Sequence, residues 1–254
     1  MSKTVRPRRS VLYMPGANTR ALEKARTLPA DALIFDLEDA VAPDAKEAAR
    51  TNVVLAAESR AYGKREIVIR CNGLATPWGA ADIEAIAQSG ADAVLVPKVE
   101  SAAEVTHVVS LLDTAGAPAT MAVWAMMETP KGILRAEEIA GAHPRLAVFV
   151  MGTNDLVKDM RARHTPMRLP MITALGIAML AARAHGLTIL DGVYNDIQDA
   201  DGFRAVCQQG LEMGFDGKEA EQALKLAGHD FNGAVTLLSE EKGARGYSDD
   251  SPLM

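Results

Sequence analysis

Ala32-Leu-Ile-Phe-Asp36-Leu-Glu38-Asp39 is a continuous apolar run that ends in carboxylates. It has two counterparts further along, Met121-Ala-Val-Trp-Ala-Met-Met-Glu128-Thr-Pro130 and Leu146-Ala-Val-Phe-Val-Met-Gly-Thr-Asn-Asp155. Strands buried on both faces of a parallel sheet read as such uninterrupted runs. An acid where the strand hands over to a loop is hard to explain by packing, because a buried carboxylate destabilises the fold unless it is paired or bound to a cation. Three such endings predict carboxylates converging at one end of a sheet, which suits a hard divalent metal.

Working outward, strand-like and helix-like segments alternate. Candidate strands are Ser10–Met14, Ala32–Leu37, Glu66–Cys71, Ala93–Pro97, Thr120–Met127, Leu146–Met151 and Leu187–Leu190. Helical spacing runs through Thr19–Leu28, Asp44–Tyr62, Pro77–Ser89, Ala102–Ala115 and Pro170–His185. Such alternation means an α/β fold with a parallel sheet. Seven strands within about 190 residues, with no GxGxxG after the first, favour a TIM-type (β/α)8 barrel over a doubly wound sheet. In a barrel the strand C-termini carry the chemistry. Here they offer Tyr13, the Asp36/Glu38/Asp39 group, Arg70, Lys98, Glu128, Asp155 and Asp191.

An eighth strand is not evident. After Gly214-Phe-Asp-Gly-Lys218 the chain reads as helical from Glu219 through Ala227. The expectation is therefore a barrel domain over residues 1–218 with its eighth strand missing or replaced by a helical C-terminal segment and tail, 219–254. The seventh and first strands would then expose unpaired edges.

The chain has 254 residues, 48% of them hydrophobic but only 4% aromatic, so Ala, Val, Leu, Ile and Met must fill the core. A net charge of −6 argues against nucleic acid as a partner. The basic group Lys3, Arg6, Arg8 and Arg9 reads either as a solvated arm or as a contact for a phosphate-bearing ligand. Cys71 and Cys207 form no metal or disulfide pattern. No signal-like segment and no run near the ~20 residues of a membrane span is seen. A cytoplasmic protein without a membrane partner is expected.

Glu128 and Asp155 are the candidate metal ligands. Two carboxylates, completed by water and substrate oxygens, describe Mg2+ rather than Zn2+. The five histidines (His107, His143, His164, His185, His229) show no zinc spacing. Arg70 closes the run Ile67-Val-Ile and reads either as a bidentate clamp for a substrate carboxylate or as half of an internal ion pair. Asp36, Glu38 and Asp39 read as supporting acids around metal-bound water, or as helix caps. Lys98 reads either as a counter-charge on the rim or as the partner of a neighbouring acid.

Six motifs in order, Arg9-Ser-Val-Leu-Tyr-Met-Pro15-Gly, Asp36-Leu-Glu-Asp-Ala-Val41, Ile69-Arg70-Cys-Asn72, Val96-Pro-Lys-Val99, Met127-Glu-Thr-Pro130 and Gly152-Thr-Asn-Asp155-Leu, resemble the citrate lyase β-subunit-like and malyl-CoA lyase group of the HpcH/HpaI aldolase superfamily. The resemblance spans about residues 5–218. It implies a Mg2+-dependent lyase that makes or breaks the bond between an acyl-CoA enolate and a 2-oxo acid, and a homo-oligomer, a trimer by preference. Glu128 and Asp155 match its metal ligands and Arg70 its substrate-carboxylate arginine. Arg9, Tyr13, Arg20 and Lys24 match the region that holds the CoA or acyl carrier. Asp36, Glu38 and a metal-bound water are the candidates for proton transfer.

After Gly-Phe-Asp-Gly-Lys that group continues with a Thr-Leu-Ile-His-Pro-like strand, whereas this chain departs at Glu219. The stretch 203–240, with Met213-Gly-Phe215 as an exposed apolar loop, resembles a ubiquitin-associated domain instead. That resemblance implies ubiquitin as a partner. It carries the alternative expectation of a catalytically impaired barrel acting as an interaction protein.

Overall fold

The computed structural model describes residues 6–196 and 198–220. Eight parallel strands close into a barrel in sequence order. The strands are β1 (Ser10–Pro15), β2 (Ala32–Asp36), β3 (Glu66–Arg70), β4 (Ala93–Val96), β5 (Ala122–Met127), β6 (Leu146–Met151), β7 (Thr188–Asp191) and β8 (Gly217–Ala220). The first helices around them are α1 (Thr19–Ala25), α2 (Lys46–Glu58), α3 (Gly79–Gln88) and α4 (Ala102–Thr114). They are followed by α5 (Pro130–Leu134), α6 (Ala136–Ala140), α7 (Thr153–Asp159), α8 (Ile172–Ala184) and α9 (Ala200–Met213). Among the described residues no helix is long and apolar enough to cross a membrane.

The continuous apolar runs are explained by burial on both faces. Alternate residues, among them Val11, Tyr13, Ile34, Val68, Leu95, Trp124 and Val150, fill the barrel interior. Their neighbours, such as Leu12, Leu33, Phe35, Ile69, Val123 and Phe149, pack outward against the helices. This two-faced packing follows from the period-2 alternation of a strand.

The expectation of a missing eighth strand is corrected. β8 pairs with β1 through Ser10↔Lys218, Val11↔Glu219 and Leu12↔Ala220, and with β7 through Leu190↔Gly217 and Asp191↔Lys218. Gly217 permits the approach, since a Cβ there would collide with the Arg8 carbonyl oxygen. The two charges that made this segment look unlike a strand are both accommodated. Lys218 Nζ pairs with Asp191 at 3.1 Å, and Glu219 turns inward.

The exposed Met213-Gly-Phe215 loop is corrected as well. Gly214, at φ +96°, stops α9, and the Phe215 amide bonds back to the Gly210 carbonyl. A left-handed glycine with that backward bond is a standard helix stop. Phe215 then packs into the core at 4% exposure. α9 docks on the barrel through Val206, Cys207 and Gly210, so it is a barrel helix rather than part of a separate bundle. The rest of the helical C-terminal expectation, 221–254, lies outside the described residues.

Candidate active site

The C-terminal strand ends surround an open cleft whose lining includes Tyr13, Asp39, Arg70, Glu128, Asp155 and Glu219. The acids predicted from the strand endings do converge there.

Glu128 follows β5 directly. Thr129 caps α5 by accepting the Gly132 amide at 3.0 Å, with Pro130 opening the helix, and this fixes the backbone that carries Glu128. Its Oε1 accepts the Lys98 amide at 2.8 Å. Burial, and then the neighbouring Glu38, lift its carboxyl to about 7. Gly152 makes room for it, because a Cβ there would collide with Glu128 Oε2. Asp155 sits in the first turn of α7, which starts just past β6, and is the more exposed of the two.

Lys98, held at φ +51°, joins these acids. Its Nζ lies 3.0 Å from Asp155 Oδ2 and 3.5 Å from Glu38 Oε1. Burial works against its charge, but Asp155, Glu38 and Glu128 outweigh burial and raise it above its ordinary value. The ammonium thus takes the role of a cation among the rim acids.

Arg70 satisfies the internal-pair reading. Its Nε and Nη2 bond to Asp36 Oδ1 and Oδ2 at 2.6 and 2.7 Å. The third nitrogen, Nη1, faces Glu38 at 2.8 Å, and the guanidinium stacks over Tyr13 at 5.1 Å. Asp36 also accepts the Glu38 and Ala40 amides, both at 2.9 Å, so each of its oxygens already holds two donors. Asp36 is thereby an anchor for Arg70, and Arg70 offers the cleft only Nη1. Glu38 lies between Arg70 and Lys98, and burial raises its carboxyl.

The residues matched to CoA binding are dispersed. Arg9 precedes β1 and pairs with Asp31 at 2.8 Å, at the opposite end of the barrel from the cleft. Arg20 and Lys24 lie exposed on α1, one turn apart, where that helix leaves the rim. Tyr13 alone reaches the cleft, its hydroxyl donating to Glu219 Oε1 at 3.0 Å. Glu219 escaped the sequence reading because it was assigned to a helix. The inward parity of Gly217 and Glu219 on a short strand was the signal available.

The donor set fits a hard cation. Glu128 and Asp155 offer oxygen only, Glu128 is protonated too readily for an acid with a satisfied counter-charge, and an ammonium already sits against Asp155. Among the described residues no group of three or more His, Cys, Asp or Glu side chains is placed to hold a metal ion. Two carboxylates with open positions is the pattern of Mg2+ sites that share the ion with substrate.

Comparison with known proteins agrees with this geometry. A sequence model of the HpcH/HpaI aldolase/citrate lyase family matches residues 9–223. The chain is 55% identical over 218 residues to a (3S)-malyl-CoA thioesterase of Cereibacter sphaeroides (strain KD131 / KCTC 12085), covering 86% of this chain and 74% of that protein. It is 36% identical over 221 residues to citrate lyase subunit beta of Escherichia coli (strain K12), covering 85% and 73%. The solved structure of the citrate lyase beta subunit complexed with oxaloacetate and magnesium from M. tuberculosis superposes with a TM-score of 0.71 at 29% identity, covering 85% and 92%. The ubiquitin-associated reading of 203–240 gains no support from these matches. Family model, relatives and barrel coincide, and the chain belongs to the HpcH/HpaI aldolase/citrate lyase family of enzymes.

Proposed function

We propose that this protein is a Mg2+-dependent carbon–carbon lyase acting on a 3-hydroxyacyl-CoA of the malyl type, which it splits into an acyl-CoA and a 2-oxo acid or forms from them. The observation that carries this reading is the meeting of Glu128, Asp155 and Arg70 Nη1 in one cleft at the C-terminal end of the barrel. The magnesium in the M. tuberculosis relative and the CoA thioester of the C. sphaeroides relative support it.

Glu128 and Asp155 would hold the ion. When bound, Mg2+ supplies Lewis-acid polarisation of an oxo-acid oxygen. Arg70, locked by Asp36, presents Nη1 to the substrate carboxylate and stabilises charge there. Of the acids considered for proton transfer, Asp36 is saturated by its four donors. Glu38 is raised by burial and held against Arg70, which makes it the better acceptor for the substrate hydroxyl proton. Loss of that proton forms the new carbonyl as the adjacent carbon–carbon bond breaks toward the thioester.

The 55% identical thioesterase supports a second reading, hydrolysis of the same thioester. Product analysis separates the two. Malyl-CoA incubated with the protein and Mg2+ should release glyoxylate and acetyl-CoA, both lost on chelation. Malate and free CoA thiol without glyoxylate would replace the lyase reading by hydrolysis. Absence of all four products would refute both.

A further inference from the structure

The last strand brings into the cleft a carboxyl that the reaction described above does not use. Glu219 occupies an inward position of β8, is 1% exposed, and lines the cleft together with Tyr13, Arg70 and Glu128. Its Oε1 accepts the Tyr13 hydroxyl at 3.0 Å. Among the described residues no guanidinium or ammonium forms an ion pair with it. Lys218, its neighbour in the chain, points to the other side of the strand and pairs with Asp191, while Arg70 is taken up by Asp36 and Glu38.

Glu38 is already engaged as the acceptor of the hydroxyl proton, and three other acids of the rim are poorly placed to give up a proton. Asp36 is saturated, Asp155 is ion-paired to Lys98, and Glu128 belongs to the cation. A neutral carboxylic acid beside a developing carbanion is what proton delivery requires. The environment keeps Glu219 neutral. Burial raises it to about 8, Glu128 pushes in the same direction, and the Tyr13 bond, Arg70 and Lys218 pull the other way.

We propose that Glu219 is the acid that protonates the carbon released on cleavage, and that Tyr13 positions it. The proposal rests on the lyase reading. In cleavage the bond between the thioester α-carbon and the hydroxyl-bearing carbon breaks, and its electron pair passes to the thioester fragment as an enolate. The hydroxyl oxygen loses its proton and becomes the carbonyl of the oxo acid. The Glu219 O–H bond then breaks as the enolate carbon forms a C–H bond, giving the neutral acyl-CoA and a Glu219 carboxylate. One proton has left oxygen and one has been added to carbon, and solvent reprotonates Glu219. In the synthetic direction the same carboxylate removes the α-proton.

The test uses the full chain with malyl-CoA and Mg2+ in D2O, following glyoxylate release and deuterium in the acetyl-CoA methyl group. Glu219→Gln retains an acceptor for the Tyr13 hydroxyl. It is expected to lower kcat on the order of 10²-fold or more, with KM changed less than about threefold. The wild-type kcat is expected to fall as pH rises through about 8, and Glu219→Gln should remove that fall. Tyr13→Phe, which deletes a bond that favours the ionised form, should move that fall to higher pH. If Glu219→Gln does not fold, as judged by near-UV circular dichroism, Glu219→Asp and Tyr13→Phe decide. Glu219→Asp should then keep the alkaline fall with reduced kcat. Wild-type cleavage combined with an unchanged kcat in Glu219→Gln or Glu219→Asp, or with an unmoved alkaline fall in Glu219→Gln or Tyr13→Phe, would overturn the assignment and leave the lyase reading standing. A wild type that releases no glyoxylate would overturn both.

Discussion

At the N-terminal end of the barrel three arginines each have an acid of their own: Arg6 with Asp92 at 2.9 Å, Arg8 with Glu66 at 2.6 Å and Arg9 with Asp31 at 2.8 Å. At the C-terminal end Asp36, Glu38 and Asp39 share Arg70, Glu38 and Asp155 share Lys98, and among the described residues Glu128 and Glu219 have no ion-pair partner. The environments respond accordingly. Burial works to raise Asp31, yet the bonds from Arg9 outweigh it and hold that carboxyl below its ordinary value. At the other end burial prevails, and Glu38, Glu128 and Glu219 are all raised. The balanced end holds the barrel shut. The unbalanced end keeps negative charge in a buried cleft, which a fold tolerates where a cation and substrate complete the site.

This contrast can be broken from either side. The largest effect is expected at the unbalanced end. Asp155→Ala should lower the rate of malyl-CoA cleavage on the order of 10³-fold while the melting temperature stays within a few degrees of wild type. Steady-state kinetics beside thermal melts would show it, and equal loss of activity and stability would blur the distinction between the two ends. Gly152→Ala should come next. Its Cβ would collide with Glu128 Oε2 and displace the carboxylate, lowering activity roughly 10²-fold, the scale expected when a supporting contact around a metal ligand is lost.

The balanced end should show the reverse. Arg8 bonds to both oxygens of Glu66, donates to Thr188 Oγ1 at 3.0 Å and lies 5.3 Å from the Trp124 ring, closing the barrel floor. Arg8→Ala leaves Glu66 buried without its partner, which costs about 3–5 kcal/mol. That corresponds to a fall of roughly 6–20 °C in Tm for a domain of this size. Differential scanning calorimetry should find that loss with kcat nearly unchanged.

The smallest effect is a slope. An acid whose folded-state pKa is raised is still protonated in the folded chain at pH values where the unfolded chain has already lost the proton. Unfolding between about pH 4.5 and about 8 therefore releases a proton from Glu219, and stability declines as pH rises through that window. Glu219→Gln should flatten the dependence of Tm on pH there, and parallel curves would contradict the buried, neutral state.

Much of this was legible before the fold. The seven apolar strands fall within a few residues of the sequence reading because strands buried on both faces leave an unmistakable run. Glu128, Asp155 and Arg70 were legible for the same reason, as charges where burial ends. β8 was not, since Gly-Lys-Glu-Ala has no β-branched residue and two charges whose partners, Asp191 and Tyr13, come from other strands. The role of Asp36 was also hidden, because its clamp on Arg70 is made across β2 and β3. Arg9 teaches the opposite lesson. Its place before β1 already puts it at the floor, where it pairs with Asp31, away from the cleft.

The most direct test is a Mg2+ titration of the wild type and of Glu128→Ala, followed by thermal unfolding. If the unbalanced end is a cation site, Mg2+ raises the wild-type Tm progressively and leaves Glu128→Ala where it began. An equal rise in both proteins, or none in the wild type, would contradict the account.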